Sequence, residues 1–262
     1  MNRVLSVVHI VAAAAVVAVP LLGWFTQHWS GATTLVVYWF ETAAGCGFIA
    51  LRILLHRWWS PRRGHFRYRP PSEGRRVHRS GTFLSGFVVT SGVFTAAHAL
   101  FLAVILYMLS RDPTDRFAHL DWSAVRLGCL CVVAIMTLDF AIDLTTLRRW
   151  SFSALEQTAQ RGLSRVIVVH LTLIFGMAAI ALTGVSSSLF SVFIVLKSMA
   201  ALSASVPQWE PARAPAWLSR FLNRVPNAHP GERFEDHWAR DRDAERSRRD
   251  GNEQPYARPG SG

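Results

Sequence analysis

TFLSGFVVTSGVFTAAHALFLAVILYML, residues 82–109, decides the fold. The run contains no Asp, Glu, Lys or Arg and is longer than the roughly 20 helical residues that cross a hydrocarbon core. Its apolar residues are continuous rather than alternating, so it reads as a helix, whose backbone N–H groups all find partners inside the segment, and not as a barrel strand. Working outward, comparable runs lie at about 4–25, 32–55, 123–146, 166–184 and 187–203. The expectation is an all-α polytopic membrane bundle of six spans over residues 1–205, the last two joined as a tight hairpin at Gly184-Val185-Ser186. Arg3 ahead of small apolar residues has the look of a secretory signal. However, the run continues through Leu21, Leu22, Trp24 and Phe25 without a polar cleavage region, so it counts as the first span.

Composition agrees. Of 262 residues, 51% are hydrophobic and 17% charged, with a mean hydropathy of +0.23, against about a quarter charged in soluble domains. The net charge is +11, and Lys197 is the only lysine; the arginines cluster between apolar runs. Nine arginines from Arg52 to Arg79 face one acid, Glu73, and Arg148, Arg149, Arg161 and Arg165 follow the fourth span. Positively charged connections stay in the cytoplasm, so both arginine-rich loops and both termini are expected there, in a multi-pass protein of the cell membrane. The same loop interleaves Trp58, Trp59, Phe66 and Tyr68 with its charges, a pattern suited to anionic lipid head groups along residues 52–80 rather than to nucleic acid. Cys46, Cys129 and Cys131 all fall inside apolar runs, which excludes a disulfide framework or zinc ribbon.

From about residue 206 prolines and polar residues dominate, and 206–262 reads as a largely disordered cytoplasmic tail. Within it Trp217, Leu218, Phe221, Leu222 and Val225 recur at helical spacing, which marks an amphipathic helix over 216–225.

Ionisable groups inside spans cost roughly 2.5–3.5 kcal/mol on insertion scales and need partners or a purpose. At 100° per residue Thr34, Glu41, Gly45, Phe48 and Arg52 share a face of the second span, and Ser91, Thr95 and His98 one of the third. Glu41 and His98 fall at similar depth, forming with Arg52 and His170 a candidate ligand or proton site. The competing readings are a hydrogen bond that only locks helices, and a metal site using Glu41, His98 and His170, one carboxylate and two imidazoles. Asp139 and Asp143, one turn apart, match Lys197 as a structural ion pair. No H-E-x-x-H, P-loop or dinucleotide fingerprint is present, and Phe83-Leu84-Ser85-Gly86 and Val185-Ser186-Ser187 each lack a glycine of the intramembrane serine-protease motif, so the pattern names neither cofactor nor reaction.

Tyr38-Trp39-Phe40-Glu41 with Gly45 and Arg52, then Gly92, Phe94 and His98, then Arg165, His170 and Gly176, then Lys197, together resemble the prokaryotic multi-pass membrane family known as domain of unknown function 6498. The resemblance spans about residues 32–203 and implies a helical integral membrane protein with no assigned activity. Members often have His-Tyr where this chain has Thr90-Ser91, which weakens a many-histidine metal site. They also carry an acid one turn after the lysine, where this chain has Ala201; that departure turns Lys197 toward Asp139 or Asp143.

Overall fold

The computed structural model describes residues 3–71, 81–109, 119–183, 214–224 and 233–256, with Val192, Val195 and Pro211. Over these the chain is helical: α1 (Arg3–Thr26), α2 (Gly31–Trp59), α3 (Arg63–Phe66), α4 (Phe83–Leu109), α5 (Trp122–Leu144), α6 (Phe152–Thr183), α7 (Ala216–Leu222) and α8 (Phe234–Glu253). A 3-10 turn, Leu147–Arg149, joins α5 to α6. Among the described residues there is no strand, only an isolated bridge between Arg62 and Pro255. Three helices, α2, α4 and α5, are long and apolar enough to cross a membrane.

Helix α1 and the second half of α6 cover the first and fifth expected spans, whereas 187–203 apart from Val192 and Val195, the hairpin turn before it and Lys197 lie outside the described residues. The apolar run expected to begin at 166 is the continuation of a helix that starts at Phe152. The reason is amphipathicity: Leu155 and Ala159 are buried while Arg161 on the opposite side is exposed, so hydropathy alone misses these turns.

Helix α2 is the centre of the bundle. On one side Cys46, Ile49 and Ile53 pack with Phe83 and Phe87 of α4 and with Phe152, Leu155 and Ala159 of α6. On the other, Val37 packs with Val16 of α1, Trp29 of the α1–α2 turn, and Val132 and Met136 of α5. Trp29 fits because two glycines make room: a Cβ on Gly23 would lie 2.2 Å from its ring and one on Gly128 2.8 Å. The outward faces of α4 and α5 leave Val89, Val93, Leu100 and Phe101, and Leu127, Leu130 and Leu138, exposed. Apolar surface of that extent suits hydrocarbon as the solvent.

Side-chain caps fix how the helices run. Ser30 caps α2 by accepting from the Thr33 N–H, and Asp121 caps α5 by accepting from the Ser123 and Ala124 N–H groups. The two caps are joined, since the Asp121 N–H donates to Thr33 Oγ1 at 3.0 Å and Ser30 Oγ donates to the His119 carbonyl. Helices α2 and α5 therefore start together and run parallel. At the other end Ser60 Oγ donates to the Arg148 carbonyl at 2.9 Å, so both arginine-rich segments meet at one end of the bundle.

The polar tail is where the structure departs most from expectation. The amphipathic segment forms α7 over Ala216–Leu222, with Trp217 and Phe221 exposed. Residues 234–253, expected to be disordered, form α8, whose C-terminal end lies against α3 and the start of α6. Charge spacing stabilises it: Glu245 pairs with Arg248 and Arg249 one turn on, both at 2.7 Å.

Candidate functional site

The buried face of α2 carries Thr34, Tyr38, Glu41, Arg52 and His56 in sequence along the helix. Counting about 1.5 Å per residue from the Ser30 cap, Glu41 stands roughly 16 Å along α2. Glu41 is 7% exposed and His98 of α4 2%. The Trp39 indole N–H donates to the Thr95 carbonyl at 3.1 Å and so ties α2 to α4 two residues before Glu41 and three before His98. His98 Nδ1 donates to the Phe94 carbonyl at 2.8 Å. In the neutral ring that leaves Nε2 as the lone-pair nitrogen, the atom that takes a proton or a ligand. Ser91, on the same stripe of α4, spends its hydroxyl on the Phe87 carbonyl at 2.7 Å.

Arg52 belongs to a different cluster. Its Nε donates to Asp143 at 2.6 Å and its Nη2 to Asp139 at 2.8 Å. Register explains the match, because Arg52 and Asp143 both stand 22 residues beyond their joined caps, 30 to 52 and 121 to 143. The cluster lies about 33 Å along the helices from the caps, roughly one hydrocarbon-core thickness. Between it and Glu41 the face is apolar: a Cβ on Gly45 would touch Met136 at 3.7 Å, and Phe48 packs on Phe140 with ring centres 5.5 Å apart. The polar face is thus two separate sites. Lys197, the expected partner of the aspartates, lies outside the described residues, as does the His170 side chain.

One turn beyond Arg52 the fully buried His56 meets His65 of α3, Nδ1 to Nε2, at 2.8 Å. His56 Nε2 lies 3.0 Å from the Trp150 carbonyl, which can only accept. His56 therefore donates from Nε2 and receives the His65 Nε2–H on Nδ1, which leaves His65 Nδ1 buried and without a hydrogen bond among the described residues. Burial first, then His56, Arg57 and Arg62, lower the His65 pKa from 6.5 to about 3, so the ring is neutral.

Beside this pair stands a polar cluster that sequence reading missed. Tyr68 donates to Glu156 Oε1, and Arg248 of α8 grips both oxygens of the same carboxylate at 2.8 and 3.1 Å. Burial and Glu156 push the Tyr68 hydroxyl above its usual pKa. The Arg248 hydrogen bond brings Glu245 down to about 2. For Arg248, burial works against the charge, but its bonds to Glu245 and Glu156 outweigh it and raise the pKa. The signal for His56 was available as an i+4 neighbour of Arg52; nothing in the sequence pairs Glu156 with a residue 92 positions away.

Among the described residues no group of three or more His, Cys, Asp or Glu side chains is gathered to hold a metal ion. The arrangement offers a buried acid on α2, a buried imidazole on α4, an ionic clamp between α2 and α5, and a histidine pair joining α2 to α3. No curated protein and no solved structure matches this chain. A family model does, over residues 1–217, which span all six apolar runs and every candidate residue named from the sequence: the chain belongs to the family of unknown function DUF6498.

Proposed function

We propose that this chain is a six-span integral membrane protein of the cell membrane, with both termini cytoplasmic, that binds a proton or a small polar ligand at Glu41 and His98 between α2 and α4. The observation that carries the reading is a buried carboxylate about a third of the way along the central helix, with a buried imidazole on the neighbouring α4 three residues beyond the Thr95 carbonyl that Trp39 holds. A mid-bilayer acid is expensive to keep and marks a site by default. The orientation is supported by the meeting of the Arg52–Arg69 and Arg148–Arg149 segments at one end of the bundle, where α8 also docks. At that end the exposed Trp58 and Trp59 suit the head-group region, and the arginines not engaged by the tail face anionic lipid rather than nucleic acid. In this reading Arg52, Asp139 and Asp143 serve as the structural clamp of the bundle, with Lys197 as a further partner from the sixth span, and His170 of α6 contributes to the ligand site from the fifth.

The test is pH-jump infrared difference spectroscopy on protein reconstituted in lipid. A protonating site gives a carboxyl band that disappears in Glu41→Gln and shifts in His98→Asn, while both variants keep the wild-type fold. A spectrum without any band assignable to Glu41, together with full biological complementation by both variants, would leave Glu41 and His98 as a helix-locking contact.

A further inference from the structure

Helix α3 has four residues, too few to be stable alone. It nevertheless covers His56, the residue that ends the polar face of α2, by laying His65 over it and seating the Gly64 backbone against the Phe152 ring. What fastens it is the end of the tail. The Arg63 N–H donates to the Gln254 carbonyl at 2.7 Å, the Tyr256 N–H donates to the Pro61 carbonyl at 3.2 Å, and Tyr256 stacks on Phe66 with ring centres 4.1 Å apart. Asn252 brackets the Arg69 backbone, accepting from its N–H at 3.1 Å and donating to its carbonyl at 3.0 Å. The same tail grips the element on which α3 closes, since Glu253 accepts the Phe152 N–H at 2.6 Å and Arg248 holds Glu156.

We propose that the C-terminal segment 245–256 is a releasable strap that holds α3 shut over the His56 end of the α2 polar face, and that its departure admits water to His56 and the neighbouring Arg52–Asp143 cluster. Its grip is almost wholly polar. In the sequence of α8, FEDHWARDRDAERSRRDGNE, the part that reaches the bundle is made of Arg, Asn and Glu, which water or a competing chain can replace group for group. The strap also lies beyond the family-matched residues 1–217, whereas everything it holds, Pro61 to Arg69, Phe152 and Glu156, lies within them. This inference does not depend on what occupies Glu41.

Diethylpyrocarbonate footprinting of the full chain in nanodiscs tests it, because the reagent needs access to a neutral imidazole. His28, exposed in the α1–α2 turn, is the reference. In the wild type His56 and His65 are expected to react at least about tenfold more slowly than His28, and in Arg248→Ala/Asn252→Ala to approach its rate, as a local opening would require. Reaction of His56 and His65 at the His28 rate in the wild type would overturn the proposal. So would continued protection in the double variant once its 245–253 amides exchange freely. If the variant does not fold, the wild type in rising urea decides: protection of 245–253 and of both histidines should be lost together before α2 exchanges, and histidines that open only with α2 refute the strap.

Discussion

Replacing Arg52 with Met removes a guanidinium that binds both Asp143 and Asp139, at 2.6 and 2.8 Å. The side chains of Arg52 and Asp143 are 7% and 6% exposed, whereas Asp139 is 27% exposed. Deleting one partner of a buried pair costs about 3–5 kcal/mol because the other charge is stranded. The partial exposure of Asp139 argues for the lower part of that range, about 3 kcal/mol. Asp143→Asn should lose about 2 kcal/mol, a charge-assisted hydrogen bond in a buried setting, and Asp139→Asn about 1 kcal/mol or less, since water already reaches it. The neutral triple variant Arg52→Met/Asp139→Asn/Asp143→Asn should recover most of the loss, because no bare charge remains. Equilibrium unfolding in mixed micelles of SDS and mild detergent measures all four. Wild-type stability in Arg52→Met, or a triple variant no better than the single one, would refute the assignment of Arg52 as the clamp. Lys197→Met belongs in the same series: a loss equal to that of Arg52→Met would show that the lysine shares these carboxylates.

Gly64→Ala is expected to cost about 1–3 kcal/mol by overpacking, because the new methyl would lie 2.5 Å from Phe152 Cζ and that ring is wedged among His65, Tyr68 and Phe83. Amide exchange over residues 62–69 should accelerate while α4 and α5 stay protected; unchanged exchange would mean the Phe152 ring has room to give. The closed state of α3 should also weaken in acid. His65 has a pKa lowered from 6.5 to about 3 in the fold, so the open state binds the proton more readily, and closure is fully favoured above 6.5 and lost as pH falls toward 3, by about 1.4 kcal/mol per pH unit. Glu245, lowered from 4.5 to about 2, acts in the same direction on the strap below 4.5. Exchange at 62–69, corrected for its intrinsic pH dependence, should rise from pH 7 to pH 5 and lose that rise in His65→Phe; equal protection at both pH values would contradict a neutral, buried His65.

Much of the bundle was legible because the bilayer restricts what an apolar run can be. Helices α1, α2, α4 and α5 cover the apolar runs at about 4–25, 32–55, 82–109 and 123–146. Where a helix carries charge, the apolar run does not mark its start: α6 begins at Phe152, ahead of the run at 166–184, because its first turns are half polar, and their burial depends on α2, α4 and α8. The tail failed for the same reason in stronger form. A segment with few apolar residues looks disordered when it is judged by the surface it can bury, yet α8 is held by arginine, asparagine and glutamate contacts to backbone and carboxylate groups more than 90 positions away. Such pairings have no local periodicity and leave no trace in a helical wheel.

The candidate site shows which part of a buried polar face sequence can give. Helical phase placed Glu41 and Arg52 on one side of α2, and they do share it. Phase does not give depth relative to a neighbouring helix, and depth selects the partner. Depth here is set by the pairing of two caps, Ser30 with the His119 carbonyl and Thr33 with the Asp121 N–H. Once those caps are joined, equal counts of 22 residues bring Arg52 against Asp143, and a stretch lined by Gly45, Met136, Phe48 and Phe140 separates both from Glu41. Arg52 is thereby set roughly 16 Å from Glu41 along the helix. Phase alone puts these two charged residues on one face of α2, and the joined caps decide which residues of the neighbouring helix each of them meets.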